Sequence, residues 1–292
     1  MINRQNCPII LKDITSLDLS LAPWREDKEK IALVPTMGSL HEGHLSLIRL
    51  AKEHAHHVVV SIFVNPRQFG PSEDFATYPR DEQADIEKVA QAGGDVAYIP
   101  EVEVMYPPGY QTNISLPHSS QCLDGLSRPG FFDGIATVVA KLLLQVRPDI
   151  AVFGEKDFQQ LLIIRQMVRD LHLPVDIVGA PIVREEDGFA MSSRNQYLSA
   201  EERAIAGQLN QVMRQSLVAL QKGTAIKTVL QTGKEALKKA GLTNIDYFEL
   251  RSVPDLRPLT TGKLPPEAAE TARLFAAVML GKTRLIDNMK VA

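Results

Sequence analysis

Residues 31–44 read IALVPTMGSLHEGH. An apolar run, IALVP (31–35), enters a glycine-bearing loop, and two histidines follow three residues apart around a second glycine. A helical period begins at once in HLSLIRLAKEHA (44–55). A buried strand feeding a helix through a glycine loop is the opening unit of a parallel α/β sheet. Ligands in that architecture gather at the carboxyl ends of the strands.

The pairing recurs along the chain. VVVSIFV (58–64), DVAYIP (95–100), DIAVFG (149–154) and VDIVGAPIV (175–183) read as buried strands. DEQADIEKVAQAG (81–93), GIATVVAKLLLQV (134–146) and FQQLLIIRQMVRDL (158–171) carry apolar residues at helical spacing. The expected fold is α/β, a Rossmann-like doubly wound parallel sheet over residues 1–183. The pattern then changes. Ser199 and Glu202 form a capping box opening a helix to about Lys222, and AIKTVLQTGKEALKKAG supplies a second helix ending at Gly241. YFELRSV (247–253), RLFAAVML (273–280) and TRLIDNM (283–289) read as strands, so residues 184–292 are expected to form a smaller carboxyl-terminal α+β domain. PDLRPLTTGKLPPEAAE (254–270) reads as a surface loop.

Composition narrows the class. Hydrophobic residues make up 45% of the 292, enough for a sizeable core. The net charge of −3 comes without blocks of like charge, so no nucleic-acid or membrane-surface partner is implied. Cys7 and Cys122 match no metal-ligand spacing and suit a reducing cytoplasm. The start, MINRQNCPII, lacks the apolar core of a signal peptide, and no run approaches a membrane span. A cytoplasmic protein is expected.

Three loops carry the chemistry. In TMGSLHEGH, Gly38 permits a tight turn and Gly43 a close approach at the start of a helix. His41 and His44 share one side of that helix's amino terminus, where free amides and partial positive charge suit a phosphate. Two imidazoles there can stabilise charge building on phosphorus. An isolated H-E-G-H equally fits solvated loop histidines or half a zinc site, although no third ligand stands at a recognisable spacing. His54, His56 and His57 read as surface or as complement to the helix's negative end. In GEKDFQQ (154–160), Lys156 suits a phosphate and Asp157 a ribose hydroxyl, though Asp157 is also a good helix cap. In FAMSSRNQYL (189–198), two hydroxyls and a guanidinium suit phosphate oxygens, and the same residues suit a linker turn.

Together these loops resemble those of the HIGH and KMSKS nucleotidyltransferases. With IFVNPRQFGPSEDFATYPR, LSRPGFFDGIATVVAKLL, VRPDIAVFGEKDFQQLLIIRQMV and IVREEDGFAMSSRNQYLS, in that order over residues 31 to 199, the chain resembles the pantothenate synthetases (pantoate–β-alanine ligases).

That resemblance implies ATP-dependent condensation of pantoate with β-alanine through a pantoyl adenylate, releasing pyrophosphate and then AMP. It implies ATP contacts from Met37, Gly38, Ser39, Leu40, His41, Glu42, Gly43 and His44, with the two histidines steadying the phosphates and His44 as proton donor. Gly154, Glu155, Lys156 and Asp157 are expected on ATP, with Lys156 reaching its phosphates and taking a catalytic part. Val183 is expected against adenine, and Met191, Ser192, Ser193 and Arg194 as the KMSKS equivalent, on a domain that closes as a lid. Gln68 and Gln160 are expected to hold pantoate, with Gln68 also near β-alanine, and Arg128 to lie near the substrates. Pro35, Met37 and Phe69 would line the gem-dimethyl group. Amides both donate and accept, which suits pantoate's hydroxyls and carboxylate.

Mg²⁺ is expected with the departing phosphates. Asp85 lies where the family has a magnesium-associated carboxylate, but its neighbour Ala84 is not acidic; Phe131 stands where the family often has histidine. A homodimer is implied by resemblance alone. GKT (281–283) lacks the glycine spacing of a P-loop and reads as a hairpin turn, and no G-x-G-x-x-G occurs. The rival readings are a cytidylyltransferase-like nucleotidyltransferase, which would not need the two glutamines, and a non-catalytic metal-binding protein.

Overall fold

The computed structural model describes residues 7–71, 73, 75–253 and 255–292. Residues 1–6, Ser72, Asp74 and Pro254 lie outside the described residues. They include the start of the segment read for a leader and two positions of the NPRQFGPSEDF motif. The chain divides into two compact units, Met1–Pro181 and Ile182–Ala292.

The first unit is built on six parallel strands: β1 (Ile9–Leu11), β2 (Ile31–Thr36), β3 (His57–Ile62), β4 (Val96–Tyr98), β5 (Ile150–Gly154) and β6 (Asp176–Ala180). Their order across the sheet is β1-β4-β3-β2-β5-β6. Central β2 is flanked on both edges, with Ala32 opposite Val58 on one side and Ile150 on the other. It is buried on both faces, which is why IALV reads as a continuous apolar run rather than an alternation. The helices are α1 (Ile14–Glu26), α2 (Glu42–His54), α3 (Glu82–Ala92), the short α4 (Val102–Met105), α5 (Pro117–Ser120) and α6 (Asp124–Ser127), then α7 (Phe131–Val146) and α8 (Phe158–Asp170). Leu45, Ile48 and Ala51 of α2 pack on Val34, Val60 and Val152 of the sheet. The order reverses where β2 meets β5. The loops leaving these two strands therefore open side by side, at the switch point where α/β sheets take their ligands.

Edge strand β1 and helix α1 were not expected from the sequence. Three residues carry no readable period, and Pro23 inside α1 reads as a helix stop.

The second unit holds α9 (Ala200–Gln221), α10 (Ile226–Lys239), β7 (Asn244–Ser252), the short α11 (Pro266–Ala269), β8 (Ala272–Leu280) and β9 (Thr283–Lys290). The three strands form an antiparallel sheet in the order β7-β8-β9, and Gly281–Lys282 make the expected two-residue hairpin turn. Ser199 caps α9 as its sequence announced: its Oγ accepts the Glu202 amide at 3.2 Å, and Glu202 Oε2 accepts the Ser199 amide at 3.0 Å. Gly233 lets α10 sit against Phe248, since a Cβ there would lie 2.4 Å from that ring.

Candidate active site

The loop from β2 to α2 is held by hydrogen bonds from three directions. Thr36 Oγ1 donates to Ser61 O at 2.8 Å and accepts the Gly38 amide at 3.3 Å. Gly38 (φ 79°) and Ser39 (φ 52°) are both left-handed, which turns the chain sharply and aims the next two amides at α3. There Asp85 receives them, Oδ2 from Ser39 N at 2.8 Å and Oδ1 from Leu40 N at 2.7 Å. Lys88, one turn on, donates to Leu40 O at 2.6 Å. Gly38 has no room for a side chain, because a Cβ would lie 2.8 Å from Asp85 Oδ2.

The turn delivers His41 to the cap of α2 and His44 to its first turn. His41 Nδ1 accepts the Gly43 amide at 3.1 Å, and His44 Nδ1 accepts the His41 amide at 3.3 Å. A backbone amide can only donate, so in both rings the acceptor is Nδ1 and the proton sits on Nε2. The rings lie 4.1 Å apart, centroid to centroid. Burial pushes His44 well below its ordinary value of 6.5, and the positive charges of Lys156 and Lys88 add to it. His44 is thus a neutral imidazole with an Nε2–H donor. Glu42 pairs with Arg49 on the exposed side of α2, away from this role.

Lys156 belongs to the turn Glu155–Asp157 that follows β5, with Nζ 3.7 Å from Asp157 Oδ1, and its charge is felt at His44. Gly154 needs no special backbone (φ −73°), and a Cβ there would meet only Leu47 at 3.9 Å.

A second turn, Pro66–Gln68, follows β3. Gln68 is buried. Its Oε1 accepts from Asn65 Nδ2 at 3.0 Å, and its Nε2 lies 2.7 Å from Met37 Sδ, which joins it to the histidine loop. Gln160, on the first turn of α8, is half-buried and its amide makes no hydrogen bond among the described residues. The neighbouring Gln159 instead ties down the preceding segment, donating to Ser119 O and Cys122 O at 2.9 Å each and accepting the Asp124 amide at 3.1 Å.

Two of the expected site residues have partners within the chain. Arg128, expected on substrate, turns its guanidinium to Glu73, with bonds of 2.7 and 2.5 Å. It also donates to Gln68 O at 3.3 Å and stacks 3.4 Å from the Phe131 centroid. It braces the Gln68 turn, and Phe131 gives it a flat apolar face. Asp85, expected beside magnesium, has each oxygen on a backbone amide. Among the described residues no three His, Cys, Asp or Glu side chains converge to hold a metal ion.

In the second unit, Val183 and Met191 lie opposite each other at the base of a hairpin, Met191 N donating to Val183 O at 3.0 Å. The hairpin is fixed by Arg184 on Asp287 (2.8 and 3.0 Å) and by Arg203 on Glu185 and Asp187. Ser192 Oγ accepts the Arg194 amide at 3.3 Å, opening the turn Ser193–Tyr197.

A family model described as Pantoate-beta-alanine ligase matches residues 9–290. The chain belongs to the pantoate-beta-alanine ligase family. It is 49% identical over 284 residues to a pantothenate synthetase of Caulobacter vibrioides, covering 97% of this chain and 99% of that one. A Pseudomonas savastanoi pantothenate synthetase is 50% identical over 281 residues, covering 96% and 97%. The crystal structure of a Thermus thermophilus pantothenate synthetase superposes with a TM-score of 0.90 at 42% identity, covering 97% and 99% of the two chains. That of the Francisella tularensis pantoate-beta-alanine ligase, complexed with beta-gamma ATP and beta-alanine, gives 0.81 at 34% identity, covering 97% and 98%. The Rossmann-like sheet with its small antiparallel unit is the fold of this ligase family.

Several further residues hold these turns in place. Asn65 and Gly134 fix the Gln68 turn: Asn65 Nδ2 donates to Gly134 O at 3.1 Å, and a Cβ on Gly134 would lie 2.2 Å from Arg67 O. Lys88 holds the Leu40 carbonyl and Glu73 the Arg128 guanidinium. The NPRQFG motif pointed at Asn65. The other three reveal themselves only through partners far away in the chain.

Proposed function

We propose that this protein joins pantoate to β-alanine at the expense of ATP, in two steps. The pantoate carboxylate attacks the α-phosphorus of ATP, and pyrophosphate leaves. The amine of β-alanine then attacks the carbonyl of the bound pantoyl adenylate, and AMP leaves. The observation that carries this reading is the pair of imidazoles at the amino terminus of α2, protonated at Nε2, at the switch point between β2 and β5. Neutral donors already in place match negative charge that develops only as the phosphorus becomes five-coordinate. The helix amides and Lys156 add positive potential for the leaving phosphates.

Gln68 and Gln160 hold the hydroxyls and carboxylate of pantoate, and Met37 and Phe69 supply apolar contact for its methyl groups. Mg²⁺ arrives as the complex of ATP, whose phosphates carry its ligands, and so belongs to the substrate. Val183 and the Met191–Arg194 segment are the second unit's contribution to ATP binding by family resemblance. A cytoplasmic homodimer completes the reading. Both cysteines are free thiols, and among the described residues no helix is long and apolar enough to cross a membrane.

The test is exchange of labelled pyrophosphate into ATP. It should require pantoate and proceed without β-alanine; adding the amine should then yield AMP and pantothenate in equal amounts. Exchange that needs β-alanine, or ADP as product, would refute the two-step scheme.

A further inference from the structure

The Gln68 turn rests on a polar relay that begins at Tyr106. The Tyr106 ring is fixed by Tyr110 at 5.1 Å, Phe63 at 6.3 Å and the Arg67 guanidinium at 5.5 Å from its centroid. Its hydroxyl donates to Asn65 Oδ1 at 2.9 Å. Burial pushes the phenol above its ordinary value of 10.0, so the hydroxyl keeps its proton throughout any assay range.

Asn65 is 1% exposed, and two backbone groups decide which way its amide faces. The Arg67 amide can only donate and meets Oδ1 at 3.3 Å; the Gly134 carbonyl can only accept and takes Nδ2 at 3.1 Å. The second Nδ2 proton goes to Gln68 Oε1 at 3.0 Å. Gln68 is thereby set with its oxygen inward and its nitrogen toward Met37, whose sulfur is a weak acceptor. The end of Gln68 left for a ligand is a donor.

We propose that Tyr106 is a positioning residue which, through Asn65, holds Gln68 so that it presents N–H to an oxygen acceptor of pantoate. The inference rests on the proposed function and extends it: at this point the site selects a hydroxyl or carboxylate oxygen and rejects a donor. Without the Tyr106 hydroxyl, Asn65 Oδ1 keeps only its longer contact. The Asn65 amide, still faced by the Arg67 N–H and the Gly134 carbonyl, is then held less tightly, and Gln68 with it.

The test is Tyr106→Phe, which keeps the ring and its packing and removes one oxygen. The pantoate KM should rise about three- to tenfold, the range for one neutral hydrogen bond, with kcat and the KM for ATP within about twofold of the parent. The deciding comparison places Tyr106→Phe in a Gln68→Ala background, read as kcat/KM for pantoate, which needs no saturation. There the second substitution should change kcat/KM by less than about twofold, because the group it orients is gone. An unmoved pantoate KM, a parallel rise in the KM for ATP, or an equal loss in the Gln68→Ala background would each overturn the relay. A parent enzyme that makes no pantothenate would overturn the function instead, so the two failures are distinguishable.

Discussion

Replacing Asp85 by asparagine separates a loop-holding carboxylate from a metal ligand. Asp85 is 2% exposed and its two oxygens accept the Ser39 and Leu40 amides at 2.8 and 2.7 Å. Asparagine keeps one acceptor and points an N–H at the other amide. Losing one charge-assisted hydrogen bond costs about 1.5–3 kcal/mol. Part of that returns because burial already pushes the Asp85 carboxyl up, so an uncharged side chain relieves desolvation. A net cost of about 1–2 kcal/mol falls on the turn that aims His41 and His44. A shift of about 1 Å in groups that must meet a transition state can slow chemistry about 10²-fold.

The assay is pyrophosphate exchange at saturating ATP and pantoate, titrated with Mg²⁺, for parent and variant. Exchange should fall between about 10- and 10²-fold, the range of that misplacement, and the Mg²⁺ midpoint should stay where it is in the parent. If the midpoint moves to much higher Mg²⁺ and excess metal restores the rate, Asp85 is a metal ligand after all and the loop argument fails.

His44→Ala should slow adenylation about 10²-fold or more while ATP binding, followed by calorimetry, changes far less, since the donor acts as charge develops. The depressed pKa of His44 also gives a pH signature. The unfolded chain takes up a proton below about 6.5 that the folded chain refuses, so stability present above that pH is lost as pH falls toward the lower folded value. Thermal melts from pH 7 to 5 should therefore fall less steeply for His44→Ala than for the parent, and an unchanged slope would contradict a buried neutral imidazole. Gln160→Ala should raise the pantoate KM several-fold with little change in the KM for ATP; a selective effect on ATP would remove Gln160 from the pantoate site. Arg194→Ala should slow adenylation and raise the ratio of AMP to pantothenate; a variant equal to the parent in both would take that residue out of the reaction.

The sequence by itself determined whatever is encoded within a few residues. The continuous apolar run of β2 is a local pattern, and the histidine pair at the start of α2 and the Ser199–Glu202 box form as read because their partners are near neighbours in the chain. So does the Gly281–Lys282 hairpin turn. The long apolar segments told strands from helices because each outlasts one period.

Only the tertiary structure decided where β1 pairs, since three residues acquire their strand from Val96–Tyr98 rather than from their own pattern. It also decided that β2 lies beside β5, which brings Lys156 close enough to act on His44. The partners of Asp85, Arg128 and Tyr106 lie some 40 to 60 positions away in the chain. Such contacts depend on strand order and on which helix face meets which loop. A charged or phenolic side chain reads the same whether it meets water, a metal or a backbone amide. The fold chose the amides for Asp85, Glu73 for Arg128 and Asn65 for Tyr106, because burial leaves a polar group to pair with whatever donor or acceptor the packing brings to it.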